Sequence, residues 1–233
     1  MKKNLYFEPI KTKRTFEDIS LQIKEKIFDG ILQPGDKLPS EKELASQFKV
    51  GRQTIREALR LLELSGFVTI QKGNIGGSYI NNTIVNTLRN SFVDIFRIEN
   101  ITLEELTVAR IEIEKVVLDY LFQNYSDSVI EILHNNILQA KEKLENNNQA
   151  FIENIQFHIL LAKGSKNPIF VIVSESIMAI VADFATRRIL DLKNSIDITT
   201  DHEDILNAII KKKHNEAITL LENHLLKVKN LFQ

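Results

Sequence analysis

The sequence predicts a mainly α-helical protein whose two parts follow different patterns. Seven of the eight glycines precede residue 80 and only Gly164 follows it, so the first part should consist of short elements joined by tight turns. Beyond residue 84, apolar residues recur at helical spacing in about seven segments, which are separated by Asn-rich or Pro-containing stretches. These patterns predict a small mixed domain at residues 13–80 and an all-α helical bundle at residues 84–231.

The first two helices of the small domain are marked by their ends. The stretch "FEDISLQIKEKIFDGIL" carries apolar residues at helical spacing, and Gly30 is placed to end that helix. A Pro-Gly pair at residues 34–35 suits a type II turn. Ser40 with Glu43 three residues later is a capping-box pattern, so a second helix should begin at Glu41. The apolar residues expected to pack along the first helix are Ile19, Ile23, Ile27 and Phe28.

A third helix and a hairpin complete the small domain. The stretch "KVGRQTIREAL" contains a short turn at Val50-Gly51, and the helix that follows should run from Arg52 to about Ser65, where Gly66 ends it. The stretch "FVTIQKGNIGGSYI" then alternates apolar and polar residues around a glycine-rich tip, which predicts a two-stranded hairpin. The order helix, helix, turn, helix, hairpin is the layout of a winged helix-turn-helix.

The third helix has two unlike faces. Apolar residues occupy one side at ~3.6 residues per turn, and Arg52 and Arg56 project from another. A helix that enters a DNA major groove needs this division, because one face packs on its own domain and the other reaches phosphates and base edges. Lys42 on the preceding helix can reach a phosphate, and Lys72 and Gly73 at the hairpin tip would let a wing approach the backbone. A merely solvated face is the alternative interpretation of these arginines.

Charge and cysteine content narrow the class of protein. The net charge is −1, yet residues 1–80 carry 14 Lys/Arg against 10 Asp/Glu and the remainder is acidic. This division favours a polyanion partner for the first part only, with ordinary surface variation as the alternative. The chain has no cysteine, so disulfide and thiolate chemistry are excluded. No uninterrupted apolar run approaches ~18 residues, and the polar N-terminus lacks the apolar core of a secretion signal. We therefore expect a cytoplasmic protein without membrane association.

Residues 13–80 resemble the DNA-binding domain of the GntR family of bacterial transcription regulators. The motifs "PGDKLPSEKELA", "RQTIREALRLLELSG" and the wing "GGSYI" fall in the order of that family. In this sequence Lys42 stands where the family usually has arginine, which keeps a phosphate contact but loses the bidentate fork. The resemblance implies that six residues lie against operator DNA: Lys42, Arg52, Gln53, Thr54, Arg56 and Gly73.

Three of the five histidines lie on separate predicted helices of the second part. His158 follows Asn154 by four residues, which places both side chains on one helix face, and His202 and His224 follow on later helices. Imidazole is the commonest metal ligand, and a helical bundle can collect ligands from facing helices. From spacing alone, three structural histidines are the alternative to a metal site. The two histidines expected at the surface, beside polar runs, are His134 and His214.

The second part is similar to the FCD domain, the all-helical effector domain of FadR-type regulators in the same family. "VARIEIEKVVL", "NIQFHILLAKGSKNPIF", "DHEDILNAII" and "ENHL" match its motifs in order. The resemblance implies that Arg110 pairs with the carboxylate of a small effector; pairing with Glu114, one turn later, is the alternative. It also implies a divalent ion, with zinc or nickel suited to the donors, held by Asn154, His158, His202 and His224.

These features predict a ligand-responsive transcription regulator and not an enzyme. The expected protein is a repressor that binds a pseudo-palindromic operator as a homodimer, because one winged domain contacts too few base pairs for useful specificity. A small carboxylate would release it from double-stranded DNA. One alternative is an acyl-CoA-responsive, metal-free regulator of the same family. The other is a three-histidine metalloenzyme, for which Glu203, beside His202, is a poorly directed general base.

Overall fold

A computed structural model describes residues 15–73, 76–81, 85–187 and 191–232, with no side-chain description at 186–187. The chain divides into two compact units, one ending at Thr87 and the other beginning at Leu88. Several predicted positions lie outside the described residues: the domain boundaries at 13 and 84, and residues 74–75 of the predicted hairpin tip. The predicted fold class is confirmed, because the described residues form ten helices and one two-stranded sheet.

The first unit contains three helices followed by an antiparallel hairpin. In the hairpin, Val68 lies opposite Ile80, and Gln71 lies opposite Gly77. Lys37 also pairs with Tyr79 of β2 through a single antiparallel β-bridge, outside the two strands of the hairpin. The elements are α1 (Thr15–Phe28), α2 (Glu41–Phe48), α3 (Arg52–Leu64), β1 (Val68–Gln71) and β2 (Gly77–Ile80). This is the winged helix-turn-helix that the order of patterns predicts.

The capping residues of α2 and the turn before it have the predicted conformations. Ser40 caps α2 by accepting from the backbone N–H of Glu43, and the Glu43 carboxylate accepts from the backbone N–H of Ser40, so the capping box is confirmed. Gly35 has φ +89°, and the N–H of Asp36 donates to the carbonyl of Gln33 at 3.0 Å, as a type II turn requires. Helix α2 therefore begins at the residue that the capping box predicts.

The core of the first unit lies between α1, α3 and the hairpin. Leu62 on α3 is 0% exposed, and Ser20 on α1 donates its hydroxyl to the carbonyl of Ala58, which fixes α1 against α3. Phe28 departs from the expectation drawn from spacing: it is 70% exposed at the end of α1, and its ring meets Phe67 edge to face. The core residues are Ile19, Ile23, Leu38, Leu44, Ile55, Ala58, Leu59, Leu62, Val68 and Ile80.

The second unit is a bundle of helices, and the first of them, α4, begins three residues before the division between the units. The number of described helices from residue 85 onward equals the seven predicted segments. They are α4 (Val85–Ile98), α5 (Leu103–Gln123), α6 (Asp127–Glu145), α7 (Phe151–Gly164), α8 (Pro168–Arg187), α9 (Leu192–Ile210) and α10 (His214–Leu231). Helix α10 packs on α9 and α5, and α7 packs on α6, α8 and α5. An all-α bundle is therefore confirmed.

Gly164, the single glycine of the second part, marks a close helix approach. A Cβ atom at this position would lie 2.8 Å from Leu121 Cδ1 and 2.9 Å from Val129 Cγ1. The end of α7 therefore comes nearer to α5 and α6 than a larger residue allows. This close approach packs the end of α7 against an apolar cluster of the bundle. The cluster includes Leu118, Leu121, Leu133, Phe157, Leu161, Ile205 and Leu221.

Helix α8 is the most apolar of the described helices. Among the described residues, only its segment Pro168–Ala185 is long and apolar enough to cross a membrane by length and composition, with a mean hydropathy of 1.8. Glu175 and Asp183 interrupt that segment. Four of its side chains, Ile177, Met178, Ile180 and Val181, are buried in a second apolar cluster of the bundle. Helix α8 therefore places one apolar side in the bundle, although only 28% of the segment is buried.

Candidate functional site

The third helix of the first unit presents a polar face to solvent. Its opposite face is buried in the core, while Arg52, Gln53 and Arg56 are exposed and Thr54 is half-buried. The Arg60 guanidinium donates to Glu63 at 2.8 Å, farther along the same helix. The helix therefore has the two faces predicted from its sequence, and its polar residues are available to an external partner.

Two of these arginines share an acidic partner on α2. Nε of Arg56 donates to Oε2 of Glu41 at 2.9 Å, and Nη2 of Arg52 donates to the same oxygen at 3.4 Å. Sequence reasoning did not single out Glu41, because eleven residues separate it from Arg52 and no periodicity relates residues on different helices. Lys42, the next residue along α2, is exposed.

The wing residues lie at the end of β1. Lys72 and Gly73 are both exposed, and Gly73 has φ +110°, which a residue with a side chain rarely adopts. A Cβ atom at Gly76 would lie 2.6 Å from the carbonyl oxygen of Gln71 and 2.7 Å from that of Gly73. Gly73 and Gly76 therefore occupy positions that a residue with a side chain would not take without strain or a shift of the neighbouring backbone.

A partly open cavity in the second unit brings the predicted effector and metal residues together. The volume of this cavity is about 40 Å³, which is room for roughly three water molecules. Apolar side chains from α7, α8, α9 and α10 form much of its wall. The polar lining residues are Arg110, Gln149, Asn154, His158, Ser195, His202 and His224. The cavity therefore suits a small ligand that carries a concentrated charge.

The three histidines meet in the wall of this cavity. One ring nitrogen from each of His158, His202 and His224 lies within 4.8 Å of the others, and the three residues are 4%, 1% and 2% exposed. The Nε2 atoms of His202 and His224 are 3.2 Å apart, close to the roughly 3.3 Å between two nitrogens on one tetrahedral zinc ion. The donors are therefore of the right type for a divalent transition metal, and the pair from His202 and His224 has the spacing of two ligands on one ion.

Carboxylates orient two of the three rings. Nδ1 of His158 lies 2.7 Å from Oε2 of Glu114, and Nδ1 of His224 lies 3.2 Å from Oδ2 of Asp201. An ionised carboxylate only accepts hydrogen bonds, so each Nδ1 carries the proton and each Nε2 keeps a lone pair. A carboxylate behind a histidine is the usual support of a metal-binding imidazole. Neither Glu114 nor Asp201 was predicted in this role.

Arg110 takes part in the same buried network. Its Nε donates to Oε1 of Glu114 at 2.6 Å, and both side chains are almost fully buried. This is the helical ion pair that the sequence offered as the alternative to effector binding. Arg110 also lines the cavity. Its ion pair with Glu114 is therefore compatible with a position beside a ligand.

Asn154 is the fourth predicted ligand. It lines the cavity one helical turn before His158, and Oδ1 of its amide accepts from the Thr199 hydroxyl at 3.1 Å. The amide oxygen is neutral and keeps a second lone pair. It therefore offers a metal ion a weaker ligand than an aspartate at the same position.

Burial keeps the histidines neutral near pH 7. Loss of hydration lowers the pKa of His158 to about 4, although the neighbouring carboxylate of Glu114 partly opposes the effect. Burial also lowers the pKa of His202 and of His224, and for His224 the bond to Asp201 partly opposes it. Neutral imidazoles are the form that binds metal ions.

Glu114 remains ionised in this setting. Burial would raise the pKa of its carboxyl, but the charges of and hydrogen bonds from His158 and Arg110 outweigh that effect and lower the pKa to about 2. The site therefore combines a buried carboxylate, a buried guanidinium and three neutral imidazoles. This combination can bind an anion and a metal ion, while the exposed face of α3 can bind a polyanion.

A winged helix-turn-helix followed by a helical domain, whose cavity is lined by a guanidinium and three imidazoles, defines a DNA-binding transcription regulator with an effector domain. The family model described as bacterial regulatory proteins, gntR family, matches residues 15–77, and that of the FCD domain matches residues 105–227. The chain therefore belongs to the GntR family of bacterial transcription regulators, in the FadR-type branch that carries an FCD domain.

Individual relatives agree with this assignment. The Uxu operon regulator of Haemophilus influenzae is 30% identical over 222 residues, which cover 93% of this chain and 81% of that protein. The HTH-type transcriptional repressor NanR of Klebsiella aerogenes is 27% identical over 222 residues, which cover 93% of this chain and 85% of that protein. Among solved structures, Streptococcus agalactiae GntR has the same fold, with a TM-score of 0.71 at 21% identity over 92% of this chain and 99% of that one.

The buried network predicts a loss of stability in acid. For metal-free protein kept in a chelator, the free energy of unfolding should fall as the pH drops from 6.5 to 4. The pKa of His158 is about 4 in the folded chain, against an ordinary value of 6.5 once the chain unfolds, so only the unfolded chain binds the proton in that window. Below pH 4.5 the lowered pKa of Glu114 continues the same trend toward pH 2.

Urea unfolding at a series of pH values measures this dependence. The variant His158→Asn should show a shallower slope between pH 6.5 and 4, while His134→Asn, which changes an exposed residue on α6, should keep the wild-type slope. A wild-type stability that is flat or rises toward acid in this window would contradict the assignment of charges in the network.

Proposed function

We propose that this regulator is a repressor that a small carboxylate metabolite releases from its operator. The observation that carries the proposal is the cavity lined by the buried side chains of Arg110 and the three histidines. A guanidinium pairs strongly with a carboxylate in a desolvated site. The name of the NanR relative, a transcriptional repressor, supports the direction of regulation.

The proposed metal is a divalent ion of the zinc or nickel type, held by His158, His202, His224 and the amide oxygen of Asn154. The close spacing of the imidazole nitrogens and their neutral state support this assignment. When bound, such an ion supplies positive charge and open coordination positions that a carboxylate can fill. Arg110 would pair with the remaining charge of the effector.

The DNA-binding part of the proposal rests on the first unit. Residues 13–80 would form the DNA-binding domain, and residues 84–231 the effector-binding and dimerisation domain. Lys42 would approach a phosphate, and Arg52 and Arg56 would read base edges in the major groove. Two copies of the chain would bind the two half-sites of a pseudo-palindromic operator. We further propose that the protein acts in the cytoplasm.

Release follows from linkage between the two sites. An effector that binds more tightly to the chain's DNA-free conformation lowers operator affinity by the same factor by which DNA lowers effector affinity. The effector therefore needs no contact with DNA. Its only requirement is a preference between two conformations of the dimer.

Two alternatives receive less support. An acyl-CoA is far larger than this cavity, whose volume is about 40 Å³. A three-histidine metalloenzyme needs a general base, yet Glu203 bonds to Lys141 at 2.6 Å and is absent from the described lining of the cavity. Glu114 is engaged by both Arg110 and His158.

Replacing Arg56 tests the operator contact. The probe is the duplex that the wild-type protein selects most strongly from a pool of random sequence, and its competitor is a scrambled duplex of equal composition. Arg56→Ala should lower the preference for the selected duplex by about tenfold or more, because a bidentate arginine–guanine pair contributes about 1–3 kcal/mol of discrimination. Fluorescence anisotropy measures both affinities.

Arg60→Ala is the matched control, since it removes an exposed arginine that is paired with Glu63 on the same helix. It should leave the preference between the two duplexes unchanged. An Arg56→Ala variant with wild-type preference would contradict the proposed contact.

Replacing His158 tests the proposed metal. Protein purified without chelator should contain roughly one divalent ion per chain by elemental mass spectrometry. His158→Ala should lose that ion because it removes one of the three imidazoles, whereas His134→Ala, which removes an exposed imidazole, should retain it. Wild-type protein that takes up no ion even after addition of zinc or nickel would refute the metal, and would leave the DNA-binding proposal standing.

A further inference from the structure

The acidic residue Glu41 has a task that differs from that of its neighbour Glu43. The Glu43 carboxylate caps α2 through both the backbone N–H and the hydroxyl of Ser40. The Glu41 carboxylate is one residue into the same helix and points to α3 instead, where it accepts from Arg56 and Arg52. The dipole of α2 favours a negative charge in its first turn, where Glu41 lies. Neither this effect nor capping explains why the carboxylate binds two arginines of α3.

Stability does not explain Glu41 well either. The arginine side chains are 61% and 56% exposed, and the Glu41 side chain is 33% exposed. Ion pairs this close to water contribute little to folding, because solvent screens them and two long side chains lose freedom. A negative charge on a surface that meets phosphates also opposes DNA binding in general. Its presence there calls for a role in recognition.

The geometry of the hydrogen bonds indicates that role. Arg56 uses Nε toward Glu41, and within the described part of the chain it has no other hydrogen-bond partner, so its two Nη groups remain for a base edge. Long side chains lose conformational freedom when they bind, and a side chain already fixed in its bound orientation loses less. A carboxylate that holds two arginines at once therefore favours specific contacts over random ones.

We propose that Glu41 is a positioning residue for sequence recognition, which orients Arg52 and Arg56 toward base edges before DNA arrives. This inference rests on the proposal that both arginines contact operator DNA. Glu41 would then have two opposite effects. Its negative charge lowers the affinity for DNA in general, and its hold on the two guanidinium groups raises the preference for the operator.

The experiment measures two affinities for each variant, using the duplex selected by the wild-type protein and its scrambled counterpart. The variants are Glu41→Ala, Arg56→Ala, the double variant, and Glu63→Ala as a control. Glu63→Ala also removes one negative charge and breaks an arginine–glutamate pair of 2.8 Å, with Arg60. The thermal midpoint of each variant is measured alongside, and a folded DNA-binding domain should retain affinity for the scrambled duplex.

Glu41→Ala should reduce the preference for the selected duplex by about fivefold, while its affinity for the scrambled duplex stays equal or increases. Glu63→Ala should leave the preference unchanged. In the Arg56→Ala background the effect of Glu41→Ala should become clearly smaller, because a positioning residue acts through the arginine that it holds.

Three results would overturn the inference. An equal rise in affinity for both duplexes would mean that the charge of Glu41 only weakens DNA binding, whatever the sequence. An unchanged preference would remove its role in recognition. An effect of the same size in the Arg56→Ala background would mean that Glu41 does not act through Arg56. If Arg56→Ala alone keeps the wild-type preference, the proposed operator contact fails, and the inference about Glu41 fails with it.

Discussion

The buried carboxylate of Glu114 is the interaction on which the effector site depends. It accepts from Arg110 at 2.6 Å and from His158 at 2.7 Å, so one ionised group compensates a buried guanidinium and fixes an imidazole. Removing one member of such a buried pair typically costs about 3–5 kcal/mol, since the remaining charge has no partner. Arg110 can therefore stay beside an apolar cavity, and the His158 ring keeps its unprotonated nitrogen on the side of the other histidines.

Carboxylates support cationic or ligating side chains in both units of the molecule. In the second unit, Asp201 holds His224 and also receives two hydrogen bonds from Lys227 at 3.0 Å. In the first unit, Glu41 holds Arg52 and Arg56. The cases differ in burial. Glu114 and its partners are desolvated, so electrostatic interactions there are strong, whereas Asp201 and Lys227 are partly exposed and the first-unit pairs are screened by water. Loss of one partner from the Glu114 network should therefore cost stability, and we ascribe to the first-unit pairs an effect on selectivity.

The sequence predicted what local rules control and missed what long-range contacts control. The start of α2, the two faces of α3 and the hairpin follow from capping residues, helical periodicity and glycine placement, and the structure has all of them. The approach of the three histidines followed only from the family resemblance, because spacing cannot tell which helix faces which. Glu114 and Asp201 lie 44 and 23 residues from the histidines that they orient, and no pattern relates such pairs. Phe28 was misjudged because periodicity continues to the helix end after the core has ended.

The protonation state of the two carboxylate-bound histidines tests the central claim most directly. Nitrogen-15 NMR of metal-free protein labelled only at its five histidines reports which ring nitrogen carries the proton. At pH 7 the account predicts that His158 and His224 are neutral, protonated at Nδ1 and bare at Nε2. A proton on Nε2 of His158, or a charged ring, would contradict it, because Glu114 would then not direct that nitrogen to a metal or an effector.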